Sequence, residues 1–68
     1  MDKFLLEYTI KSNGHTIAEY CKAIGISKSS YYKKVRGDSD FTQEQIQKSI
    51  DFLKLESPVP IFFKSNVS

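Results

Sequence analysis

Apolar positions recur at helical spacing in four stretches, and each stretch follows a residue able to cap a helix. Residues 2–12 place Leu5, Leu6, Thr9 and Ile10 on one side, with Asp2 as the N-cap and Asn13-Gly14 as the stop. Thr16-Ile-Ala-Glu19 has the form of a capping box, and Ile17, Tyr20, Cys21 and Ile24 follow at i, i+3, i+4, i+7 until Gly25. Ser27 is the next cap, for a helix from Lys28 to about Arg36 that ends at Gly37. Thr42-Gln-Glu-Gln45 repeats the box with Phe41 ahead of it, and Ile46, Ile50 and Leu53 follow at i, i+4, i+7, with Phe52 and Leu55 beside them, up to about Lys54. Pro58 and Pro60 then restrict the chain to an extended segment or a single turn. The expectation is an all-α fold of four to five short helices. It forms one domain over 1–63, with a helix-turn-helix at 16–37 and a frayed tail at 64–68.

The first helix has a second apolar side, Phe4 and Tyr8. The preferred reading buries both sides under later chain; Ile61-Phe62-Phe63 is expected to fold back to cover the core, with the Phe4 and Tyr8 side as one place for it, and a dimer surface is the alternative. His15 is expected to pack at the start of the second helix and Cys21 to be a small core residue.

Charge changes this picture more than composition does. The net charge of the 68 residues is only +2. Yet positions 20–37 hold Lys22, Lys28, Lys33, Lys34 and Arg36 with no acid, while 38–57 are net acidic. A near-neutral chain with one basic segment has a directional field suited to a polyanion. At ~100° per residue, Lys28, Ser29, Tyr32, Lys33 and Arg36 share one arc of about 140° on the third helix, and each is a hydrogen-bond donor. Val35 lies opposite and is expected to pack inward. Tyr31 beside it is either core or leans towards DNA, while Ser30 and Lys34 flank the donor face.

Two short helices joined at a glycine, the second cationic, form the pattern that places a helix in the major groove. Lys28, Ser29, Tyr32 and Lys33 are the candidates to face base edges. Thr16, Ser27, Lys34 and Arg36 are the candidates for phosphates. No carboxylate pair in an apolar setting, nucleophile with a base, phosphate loop or metal cluster is evident, so no enzymatic activity, cofactor, metal or small-molecule ligand is expected. One cysteine allows no internal disulfide, and nothing reads as a signal peptide or membrane span; a cytoplasmic protein is expected.

The sequence TIAEYCKAIG-ISKSSYYKKVRG, followed by the Phe41-Thr42 start of the next helix and a final Ile-Phe-Phe, resembles the lambda-repressor-like Cro/CI family, particularly small phage regulators of Gram-positive bacteria. The resemblance covers residues 4 to about 63. It implies that the third helix reads operator DNA, and that a two-fold dimer, formed in solution or on the DNA, spans half-sites about 34 Å apart or a multiple of that. The chain departs from the family at Ile17, where a glutamine is common, at Cys21 for a small alanine, and at Tyr31 for an aliphatic residue. A protein-interaction module of the same fold, acting like an antirepressor or antitoxin, is the alternative function.

Overall fold

The four longer helices in this chain start where a short polar side chain can satisfy free backbone N–H groups, and stop where the backbone turns left-handed. The computed structural model describes residues 1–63; the expected fraying of 64–68 lies outside the described residues. Five helices and no strand occur among them: α1 (Lys3–Ser12), α2 (Ile17–Ile24), α3 (Lys28–Arg36), α4 (Gln43–Leu53) and α5 (Val59–Phe62).

Asp2 accepts the Leu5 N–H at 3.0 Å to start α1, and Ser27 accepts the Ser30 N–H at 3.1 Å to start α3. Both capping boxes form: Thr16 with Glu19 on α2, and Thr42 with Gln45 on α4. Gly25 and Gly37 take φ of +79° and +92°, which an L side chain adopts only at a cost. The next N–H at each turn reaches back, Ile26 to Cys21 O at 2.9 Å and Asp38 to Lys33 O at 2.9 Å, satisfying carbonyls left free at the helix end. α4 ends without a glycine, Lys54 itself taking φ +54°. The two prolines yield the single-turn outcome, α5.

The centre of the fold is α2, which packs against α1, α3 and α4. Leu6, Ile10, Tyr20, Cys21, Ile24, Tyr31, Leu53 and Ile61 make up the buried core. Tyr20 is wholly buried, and its hydroxyl lies 2.6 Å from Ser49 Oγ, which donates onward to Gln45 O at 2.8 Å. That bond sets which side of α4 faces the core: Leu53 is buried and Phe52 and Leu55 pack against the core beside it. Ile46 and Ile50 are only half-buried, while Ser49 and Leu53 face the core. A buried phenol needs a polar partner, so α4 presents its serine to Tyr20. Phe52 takes the position beside the α1–α2 turn, its ring 4.2 Å from that of His15.

One correction concerns α1. Phe4 is 77% and Tyr8 69% exposed, so the second apolar side is not covered. The cause lies in how α5 docks. The Asp2 N–H donates to Ile61 O at 2.7 Å, Ile61 enters the core, and Phe62 packs edge-on against Phe41 at 5.2 Å. The turn is thereby tied to the start of α1 and to the α3–α4 loop, and does not reach across Phe4 and Tyr8.

Candidate nucleic-acid interface

α3 follows α2 after only Gly25, Ile26 and Ser27. The left-handed Gly25 reverses the chain, and half-buried Ile26 pins the turn to the core. α3 is then anchored by one large side chain. Tyr31 is 2% exposed and meets Tyr20 edge-on, with ring centroids 6.0 Å apart. The question left open for Tyr31 is thus answered: it belongs to the core. Burial pushes its hydroxyl up to about 12, and the nearby Glu7 carboxylate adds to the shift. Val35 is half-buried beside it.

With Tyr31 inward, Lys28, Ser29, Tyr32, Lys33 and Arg36 all lie exposed on the outer side of α3, as the helical period predicts. Tyr32 keeps 49% exposure while its ring rests edge-on against Tyr31 at 5.2 Å, so it is a braced aromatic at the surface. Neither Lys28 nor Lys33 forms an ion pair among the described residues. Arg36 does: Nε at 3.1 Å and Nη2 at 2.8 Å both donate to one oxygen of Asp38. Both partners are well exposed, so the pair is weak and the guanidinium keeps donors for another acceptor.

Lys34 is the clearest departure from the expected set. It is 8% exposed, its Nζ donates to Asp40 O at 2.8 Å, and the ammonium lies 5.6 Å from the centre of the Phe41 ring. A flanking position on a lone helix becomes an inner one because the chain after Gly37 folds back across that side. The ammonium ties the end of α3 to the α3–α4 loop. It does not stand on the donor face as a phosphate contact.

Thr16 and Ser27 differ as well. Thr16 Oγ1 accepts the Glu19 N–H at 3.1 Å, and its own N–H donates to Glu19 Oε1 at 2.7 Å. The bond from the Thr16 N–H, helped by the Thr16 hydroxyl, holds the Glu19 carboxyl below its usual range, so a negative charge already sits at the start of α2 and the Thr16 N–H is taken. A phosphate there would have to displace Glu19. Ser27 is exposed, and its oxygen accepts from Ser30, which leaves the hydroxyl hydrogen free to donate. No acid lies in the first turn of α3, whereas α2 carries Glu19 and α4 carries Glu44 there. The positive end of α3 is therefore open to an anion.

Comparison with protein-family models, with curated proteins and with solved structures found no match. What the surface can do is therefore argued from its own chemistry. The outer side of α3 offers two unpaired ammonium groups, a partly engaged guanidinium and three hydroxyls, counting Ser27, and all of these can donate. Other chemistry is sparse. Burial raises the Cys21 thiol away from reactive thiolate, and no group of three or more His, Cys, Asp or Glu able to hold a metal occurs among the described residues. No helix of the described residues is long and apolar enough to cross a membrane.

Sequence reasoning missed the Tyr20–Ser49 bond and the inward place of Lys34. Neither has a local signal, because the partners are 29 and 6 residues away through folded loops. The absence of acid ahead of α3, by contrast, is written plainly in the chain.

Proposed function

We propose that the chain is a sequence-specific regulator that binds double-stranded DNA by laying α3 in the major groove. The observation that carries this reading is the outer side of α3. It is a rigidly anchored helix face whose exposed side chains are all donors and whose N-terminal end carries no acid. Lys28 and Ser29 sit at the end that enters the groove and read base edges; Tyr32 and Lys33 follow one turn later. Ser27 and Arg36 hold flanking phosphates. Lys34 supports the helix from behind, and Thr16 serves as the cap of α2.

The resemblance to Cro/CI regulators supports the same reading and adds its biological setting: a cytoplasmic phage or mobile-element repressor acting as a homodimer on a pseudo-palindromic operator. The test is a gel shift on random duplex DNA at two salt concentrations. A dimer neutralising about four phosphates loses roughly 100-fold in affinity between about 50 and 200 mM salt. No shift at low salt would overturn the proposal. The second reading, a protein-interaction module, is favoured by one observation, the uncovered Phe4 and Tyr8.

A further inference from the structure

Apart from Tyr32 on α3, the exposed large apolar side chains among the described residues are Met1, Phe4, Tyr8, Val59 and Phe63, and four of these five line one groove. Phe4 and Tyr8, one turn apart on α1, project at 77% and 69% exposure. Phe4 itself lines a groove together with Val35, Val59, Pro60 and Phe63. Phe63 is 50%, Val59 45% and Met1 39% exposed. We infer that this face is the interface for a second copy of the chain, with Phe4 of each copy seated in the groove of the other.

Three observations choose that occupant. A two-fold contact needs a surface complementary to itself, and a projecting ring next to an apolar groove meets that need: rotation about the axis brings each knob to the other copy's hole. The charges at the groove have the same property. Asp2 and Lys3 both line it, one acid and one base, and they form no ion pair with each other. The same rotation can set Asp2 of one copy opposite Lys3 of the other. The area also fits. Aromatic side chains offer about 150–250 Å² each, so Phe4, Tyr8 and Phe63 at their exposures leave on the order of 400 Å² uncovered. Met1 and Val59 bring this close to the apolar share, about 500 Å², of one side of a standard interface. An apolar area that large is at the upper end for a protein that stays monomeric.

This inference gives a location to the two-fold arrangement in the DNA reading, but its test needs no DNA. Sedimentation velocity of the full chain is measured from low to high micromolar concentration, for the wild type and for Phe4→Glu and Tyr8→Glu. Both side chains are exposed, so at the lowest concentration, where the wild type is monomeric, helical circular dichroism and melting temperature stay as in the wild type. The wild type shifts from monomer to dimer as concentration rises. Each variant raises the dimer dissociation constant at least ~100-fold, because each position counts twice in a two-fold contact. A wild type that remains monomeric throughout, or variants that dimerise as well as the wild type, overturns the inference. A monomer that still shifts duplex DNA removes the interface and spares the DNA reading. A dimer that binds no DNA does the reverse.

Discussion

Two helices of this small domain turn an unburied side outward, and the two sides have opposite chemistry. On α3 the exposed residues are Lys28, Ser29, Tyr32, Lys33 and Arg36, donors throughout; on α1 they include two aromatic rings, Phe4 and Tyr8. A side chain left in water costs the fold nothing when it is a lysine or serine, whereas a phenylalanine left out forgoes burial worth about 1.5–3 kcal/mol. The polar side of α3 needs no partner for stability, so what it suggests rests on pattern: donors collected on one face with acids excluded. The apolar side of α1 suggests a partner by its cost alone. The two surfaces therefore respond to different variables, α3 to ionic strength and α1 to concentration.

The strongest way to break this contrast is to reverse charge on α3. Lys28→Glu with Lys33→Glu is expected to lower DNA affinity at least ~1000-fold in low salt while leaving the dimer constant unchanged, measured by gel shift and sedimentation. If duplex binding survives, the outer side of α3 is not the contact. Lys34→Met sharpens the division within α3 itself. It keeps the aliphatic stem but loses the bond to Asp40 O and the contact with Phe41, and is expected to cost about 1–2 kcal/mol in denaturant unfolding. The salt slope of DNA binding stays as in the wild type; a shallower slope would return Lys34 to the phosphate contacts. Tyr20→Phe removes the hydroxyl from the pair with Ser49, which still donates to Gln45 O. About 1 kcal/mol of stability is expected to go, with DNA affinity and dimer constant both unmoved.

A pH prediction follows from the same interior. Burial raises Tyr31 to about 12 and raises Tyr20 in the same direction, while an unfolded phenol ionises near ~10. The folded state thus holds protons that the unfolded state releases. Stability is complete below about pH 10 and falls as pH climbs from there towards 12. Thermal melts across that range should show a falling melting temperature; one flat to pH 12 would mean that the two phenols ionise alike in both states.

How far the sequence carried these surfaces depends on how local their causes are. The caps at Thr16 and Thr42 were legible because each involves residues three apart, and the outer side of α3 was legible because helical period fixes it within nine residues. Lys34 was not, since its burial depends on the backbone of Asp40 after a turn. Ser49 lay outside the expected stripe because its reason is a phenol 29 residues earlier. Phe4 and Tyr8 were expected to be covered because the Ile-Phe-Phe segment is apolar enough to cover them. The bond from Asp2 to Ile61 and the packing of Phe62 on Phe41 direct that segment elsewhere. Of the eight residues expected to touch DNA, six keep an open route to do so, while Thr16 and Lys34 are engaged within the fold.

Selection of bound sequences from a random duplex pool is the decisive measurement for α3 as a DNA-reading helix. The proposal predicts enrichment of one pseudo-palindromic site with half-site centres about 34 Å apart, or a multiple of that, and loss of base preference within each half when Lys28 or Ser29 becomes alanine. A pool that emerges unenriched from repeated rounds in low salt, or an enriched site indifferent to both substitutions, would contradict it.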